Sequence, residues 1–426
     1  MRNVRIVEMQ FTNLAGELKS VDVAYQRFKD SSRLGKCVDG SSVNLTPIER
    51  SDLLLKPIRD TYFETPWNEE STARVLCDLF TPAEKTTQFG HEEEYELSPR
   101  YILKRNIAAA RRQGYDFITG AEMEFFILNN REFSDQATYF APPPFDSGAR
   151  LRRKIFSTLE DLGVAGEFLH HEVSTSQHEI SLRNGSAVAS ADNVMTFKYV
   201  AKNVAAAAGM SVTFMPKPFA GINGSSMGTH MSLRRGGENL FYSKERLSKL
   251  ARHFIAGILN HAKALTAILA PTVNSYKRLV AGYEAPVYVC WGFMNRSAMI
   301  RIPSFNSKKS ARVELRSPDP MCNPYLAMAG ILACGLDGIK NQREPSDGIG
   351  SNAYKQKGLD KLPGTLKEAL EYLKSDQVIR SALGEAAVNK YVEIKMREFD
   401  DYEQTNPIWD PSTITEWETD RYLELL

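Results

Sequence analysis

Cysteine is scarce in this 426-residue chain, which holds only Cys37, Cys77, Cys290, Cys322 and Cys334. They are odd in number and form no CxxC pair, so neither a disulfide framework nor a cysteine zinc site is expected. They read as reduced, mostly packed thiols. Net charge is equally scant. Lys and Arg number 53 and Asp and Glu 52, leaving +1, so no global field draws the protein to nucleic acid or to anionic lipid. A membrane-spanning run is also missing. Residues 320–336 are uncharged but broken by Asn323 and Pro324, and the apolar part is too short to cross a bilayer. The opening MRNVRIVEMQF has no apolar core of a secretory signal. A cytoplasmic protein with no membrane or nucleic-acid partner is expected. Neither a Walker A sequence nor a Gly-x-Gly-x-x-Gly opening a helix occurs, so any nucleotide must be held by another device. No internal repeat is visible.

What is present is ordinary globular composition, 42% hydrophobic and 25% charged, with length for one large domain or two ordinary ones. The first eighty residues read as strands: VRIVEMQFT, a turn NLAG, then GELKSVDV, and later the apolar run VLCDLF. GKCVDGSSVN reads as a Gly/Ser-rich loop. AEKTTQFGHEEEYELS lacks periodicity and reads as a linker or mobile loop, its acidic run at residues 92–94 a solvated face. A boundary is expected near Pro99.

Beyond it helices and strands mix. Residues 101–113, 150–163 and 191–209 read as helices, 244–269 as one long helix, 324–338 as a buried helix, and 366–397 as mostly helical. FITGAEMEFFILN, the two arms of GEFLHHEVSTSQHEISLR, SVTFMPKP, HMSLRR, VYVCWGF, AMIRIP and SARVELRS read as strands. Without strict βαβα alternation, the pattern favours α+β over a doubly wound sheet.

Charge sits inside some of these apolar strands. Glu122 and Glu124 are two apart, so they share a face while Met123 and Phe125 take the other. Paired carboxylates on an apolar strand are costly unless they share a cation; the alternative is an exposed edge. Glu172 and Glu179 lie on the two hairpin arms, with His170, His171 and His178 nearby, as metal ligands or as hydrogen-bonded structural histidines. Arg312, Glu314 and Arg316 share one face of ARVELRS, and Arg301 lies between Ile300 and Ile302. Such arginines suit a phosphate or carboxylate, or else a structural ion-pair network. Hard oxygen donors favour Mg²⁺ or Mn²⁺ over zinc. With several arginines, they suggest two-metal phosphoryl chemistry.

Longer motifs then come into play: CVDGSSV, ERSDLLL, HHEVSTSQHEI, TFMPKPFAGINGSSMGTH, NSYKRLVAGYEAP, NRSAMIRIP, ARVELRSPDPMCNPYLAMAGILACGLDGI and EWETDRYLELL. In this order, over nearly the whole chain, they resemble the type I (alpha-like) glutamine synthetase family. The resemblance implies an N-terminal β-grasp domain (1–98) and an α+β catalytic domain (99–426) on a curved antiparallel sheet. It implies a homo-oligomer, a dodecamer of two hexameric rings, with each active site between subunits. The implied reaction joins glutamate and ammonia at the expense of ATP, through γ-glutamyl phosphate, with Mg²⁺ or Mn²⁺, two or three per site.

Carried over by motif, Glu124, Glu172 and Glu179 would bind the first metal, and Glu122 and Glu314 the second. Arg278 and Arg316 would hold glutamate's carboxylates, with Asn223 and Gly224 beside its backbone. Arg296 and Arg301 would face the transferring phosphate, with Arg312 and Lys309 on the nucleotide side. Glu167, His230 and Ser232 would contact ATP. Glu284, on a flap, would take a proton from ammonium. Asp39 of the neighbouring subunit would complete the ammonium site, with Tyr139 and Ser42 near it.

The chain departs from the family at one motif, Asn-Gly-Ser-Gly-Met-His-x-His, which reads NGSSMGTH here. The first histidine, a ligand of the second metal, is Gly228, and the glycine two residues earlier is Ser226. Losing even an outer partner of a metal costs about 10–100-fold. Mg²⁺ nevertheless takes oxygen and water readily, so Glu122, Glu314, ATP oxygens and waters would still hold it, less tightly. The loop GSSVNLTPIERSD is a residue shorter than in Gram-positive-type members and lacks their feedback arginine. No adenylylation tyrosine motif is found. Besides glutamine synthetase, two readings stay open: a ligase joining glutamate to an organic amine, and a catalytically weak, regulatory paralogue.

Overall fold

A computed structural model describes residues 4–68, 70–82, 92–244 and 246–425. It divides into two compact units, Met1–Arg105 and Asn106–Leu426. The dividing point falls inside the helix Pro99–Arg112, whose first residue is the expected boundary.

In the first unit, Ile6–Thr12 and Leu18–Ala24 form an antiparallel hairpin about the expected turn. Alternation sends Val7, Met9 and Phe11 inward. Thr72–Thr81 pairs parallel to Ile6–Thr12. Asp52–Pro57 then pairs antiparallel with it, and Lys36–Asp39 closes the order. A helix the sequence reading did not expect, Tyr25–Leu34, follows the hairpin. Its YQRFKDSSRL carries too few apolar residues to show a helical stripe. Lys36–Asp39, expected as loop, is a strand whose register with Asp52–Pro57 supplies what its composition does not. The mixed sheet with its helix is the β-grasp arrangement. Residues 83–91 of the expected linker lie outside the described residues. The acidic run beyond them is not a plain solvated face. Glu93–Glu94 pairs as a short strand with Thr72–Thr81, Glu92 meets Lys56 at 3.0 Å, and Glu94 pairs with Lys104.

The second unit is built on a sheet in the order Gly166–His171, Gln177–Leu182, Asp116–Asn129, Met227–Arg235, Val313–Leu315, Ile300–Ile302 and Trp291–Phe293. Every neighbouring pair is antiparallel except the last. Helices Ala187–Ala207, Lys249–Asn260 and Pro324–Lys340 cover its apolar side. Pro324 at the helix start and the Asn323 side chain capping Tyr325 and Leu326 explain where the last begins. The single helix expected over 244–269 is two, Lys249–Asn260 and Ala262–Leu269. His261 interrupts it, bonding Asp376 at 2.6 Å and Asp337 at 3.2 Å. The described cysteines are free thiols; four are buried and Cys37 is exposed. No helix among the described residues is long and apolar enough to cross a membrane.

Candidate active site

The central strand Asp116–Asn129 positions the site. Met123 and Phe125 are fully buried against the helices, which forces Glu122 and Glu124 onto the opposite face. Register then assembles their partners. Glu179 lies directly opposite Glu124, and His170 opposite Glu179. On the other flank Gly228 lies opposite Glu122, His230 opposite Glu314, and Arg301 opposite Glu314. Carboxylates distant in sequence thus meet on one sheet face.

They form two groups. Donor atoms of His170, Glu172 and Glu179 lie within 4.8 Å of one another, as do those of Glu122, His230 and Glu314. Glu124 stands against the first group. Burial, and the charges of Glu124, Glu179 and Glu284, push Glu172 up to about 9. Burial and Glu179 push Glu124 up to about 7 against the bonds from Ser226. Ser226 grips both oxygens of Glu124, its Oγ donating to Oε1 and its N–H to Oε2, each at 2.7 Å. Glu122, two residues away, moves the other way. Burial would raise it, but His230, Arg301 and Arg312 outweigh that and hold it below the ordinary carboxylate range.

These carboxylates line a cavity of about 280 Å³ with His170, Asn223, Gly224, Arg278, Glu284, Arg296, Arg301, Arg316 and Tyr139. An adjoining cavity of about 190 Å³ is lined by Glu167, Ser232, Lys309 and others, and shares Glu122, Phe168, His230 and Arg312 with the first. Every site residue expected from the catalytic part of the sequence therefore lines one of two adjoining cavities. Asp39 belongs to the other unit. There it ends the Lys36–Asp39 strand, exposed, and is held at about 2 by hydrogen bonds from Ser41 and Ser42.

The arginines are not equivalent. Arg278 is buried and donates to the carbonyls of Ser317 and Arg316 at 3.0 and 2.9 Å. Arg316 donates to the carbonyls of Glu284, at 3.0 Å, and Arg296, and its Nε lies 3.5 Å from Glu314. It ties two loops to the sheet. Glu284 itself sits at φ 58°, an uncommon conformation for a non-glycine residue.

Beneath the carboxylates the structure takes the second reading for His171 and His178, as hydrogen-bonded structural groups, with Asp135, Asp146 and Arg152, which the sequence reading did not name. His171 and His178 face away from Glu179 and lie opposite each other. Asp135 binds His171 at 3.1 Å and the Ser176 N–H at 2.9 Å. Arg152 bridges Asp146 (2.7 Å) and His178 Nδ1 (2.6 Å). Burial, the Arg152 charge and His171 keep His178 well below its ordinary range, hence neutral. This network locks the hairpin whose alternate residues carry the carboxylates. Strand alternation along QHEIS was the available signal for it. Phe140 and Phe168, also missed, line the larger cavity with Tyr139. They are well exposed and gather about the His170 ring.

The donor set fits hard divalent cations. In the first group, carboxylates with raised proton affinity that repel one another lack the compensating charge that such an ion provides.

Comparison with known proteins gives the family. The model of the glutamine synthetase β-grasp domain matches residues 3–82, and that of the glutamine synthetase catalytic domain matches 96–422. A glutamine synthetase of Thermotoga maritima is 45% identical, covering 99% of this chain and 97% of its own. One of Thermus thermophilus is 42% identical, covering 99% and 96%. The solved ADP complex of GmaS superposes with a TM-score of 0.86 at 32% identity, covering 98% of this chain and 96% of its own. With both domains matched in order along nearly its whole length, the chain belongs to the glutamine synthetase family.

Proposed function

We propose that this protein is an ATP-dependent glutamate–ammonia ligase working through γ-glutamyl phosphate, with a β-grasp domain over 1–98 and a catalytic domain over 99–426. One observation carries the reading: two carboxylate clusters and a set of arginines share one sheet face in a cavity that adjoins a second one. Mg²⁺ or Mn²⁺, two or three per site, would be held by Glu124, Glu172 and Glu179 and by Glu122 and Glu314. When bound, the ions neutralise phosphate charge and polarise the transferring group.

The protein's own groups do the rest. Arg278 and Arg316 orient glutamate beside Asn223 and Gly224. Arg296 and Arg301 hold the charge developing on the transferred phosphoryl group. Glu167, Ser232, Lys309 and Arg312 seat the nucleotide. Glu284 takes the proton that ammonium must lose before its nitrogen attacks the acyl phosphate. The flap that carries it keeps water from a reactive intermediate. Asp39, with Ser42, is supplied by the neighbouring subunit, with Tyr139 close to the ammonium site. This places the chain in a homo-dodecamer of two hexameric rings, working in the cytoplasm.

An organic amine is the second reading, favoured by the exposed Phe140 and Phe168 in the cavity. The higher identity to proteins named glutamine synthetase favours ammonia. Phosphate release from ATP with Mg²⁺ and glutamate separates these readings, measured without amine, with ammonium, and with a panel of small amines. Strong stimulation by ammonium is expected. Stimulation by an organic amine alone overturns the choice of ammonia. No release despite ATP binding leaves a regulatory relative.

A further inference from the structure

Gly228 removes a side chain from the cation-facing surface of Met227–Arg235, directly opposite Glu122. The space is not left open. A Cβ at this position would lie 3.2 Å from Glu122 Oε2 and 3.5 Å from its Cβ, so the Glu122 side chain occupies what a side chain at 228 would take. From there its Oε1 reaches His230 Nε2 at 2.7 Å. Residues 228 and 230 point to the same face of the strand, because side chains alternate with a period of two. His230 also lies directly opposite Glu314 on the next strand. Its Nε2 meets Glu122, Glu314 lies on the neighbouring strand, and one donor atom from each of the three lies within 4.8 Å of the others.

We propose that His230 has taken over the ligand position lost at Gly228, so that Glu122, Glu314 and His230 Nε2 hold the second divalent cation. This rests on the reading of Glu122 and Glu314 as metal ligands, and moves His230 from a nucleotide contact to the metal. The chemistry is consistent. A divalent cation entering between Nε2 and the two carboxylates replaces the proton now shared by His230 and Glu122, as metal binding does wherever ligands must be deprotonated. Mn²⁺, which binds N/O sites more weakly than Fe²⁺ or Zn²⁺, draws its main hold from the two carboxylates, with one imidazole completing the set. Ligation through Nε2 leaves the ring proton on Nδ1, which now accepts from Arg312 Nε at 3.1 Å. Arg312 must therefore leave His230 when the metal binds.

Mn²⁺ alone is the probe, with no nucleotide and no turnover required. Free Mn²⁺ is followed by its solution EPR signal during titration, and nitrogen coupling to bound Mn²⁺ is read by electron spin-echo modulation. Wild-type protein should show ¹⁴N coupling. His230→Ala should lose the part that belongs to the second cation, and weaken that binding class by about 10–100-fold or more. Adding Gly228→His to His230→Ala should restore both, since it returns an imidazole to the same face. His170→Ala separates any nitrogen coupling from the first cluster, and thermal melts confirm that each variant folds. Should a variant fail to fold, His230→Gln offers an oxygen donor and should abolish the coupling. Unchanged coupling and two unchanged Mn²⁺ affinities in a folded His230 variant would overturn the proposal. So would absence of ¹⁴N coupling in wild type with both cations bound. Absence of ligase activity with the coupling intact would instead count against the proposed function alone.

Discussion

Metal binding at the first cluster should expel protons, in numbers the structure sets. Glu172 is pushed up to about 9 and Glu124 up to about 7, from an ordinary value of 4.5, by burial and by neighbouring carboxylates. A divalent ion binds the ionised forms. The pair then carries about 1.9 protons at pH ~6, about 1.2 at pH ~7.5 and about 0.2 at pH ~9.5, all released when the metal enters. Apparent Mg²⁺ affinity should rise with pH, by roughly 15-fold per unit near pH ~7.5, because that slope equals the protons released. Titration calorimetry in buffers of different ionisation enthalpy reads the number directly. Glu172→Gln mimics the protonated side chain. It should raise metal-free stability near neutrality, where an unfolded Glu172 is ionised and the folded one is held protonated, cut release at pH ~7.5 to about 0.2 proton, and weaken binding about 10–100-fold or more. Binding heats independent of buffer at all three pH values, with binding intact, would refute the reasoning. The sign for stability follows. Groups raised in the folded state give metal-free protein stability that is present below about 4.5 and lost as pH rises through about 7 and about 9. Metal should restore it.

Asp135→Ala touches no proposed ligand, yet releases His171 and the Ser176 backbone; metal affinity at the first cluster should fall about 10–100-fold, measured by Mn²⁺ titration. Arg316→Ala frees the Glu284 and Arg296 carbonyls and removes a proposed glutamate contact. kcat/KM for glutamate should drop at least tenfold, and an unchanged value in steady-state assays would remove the assignment. Lys277 and Glu418 form an ion pair with fully buried side chains, and Lys277 also donates to Thr413 O at 2.6 Å and Tyr402 at 3.1 Å. Lys277→Ala strands the carboxylate and should cost about 3–5 kcal/mol in denaturant unfolding, with Glu418→Ala added on top costing little more.

Much of this was legible in the chain. Alternation in GAEMEFFIL places Glu122 and Glu124 on one face, and a period of two needs no tertiary context. In NGSSMGTH the resemblance to the family is what reads Gly228 as a replaced histidine. The helix Tyr25–Leu34 was hidden because it is polar and short, and its formation depends on the sheet it follows. The break at His261 was hidden because Asp337 and Asp376, which bond it, are remote in sequence. Sequence alone determined which residue types carry charge and which face each takes along its own strand. Only the tertiary structure decided the register between strands. That register sets Glu179 against Glu124 and His230 against Glu314, and lets Glu122 lean over Gly228. Spacing within a strand is local geometry, whereas the sharing of one cation by carboxylates from separate strands depends on pairing that no single strand encodes.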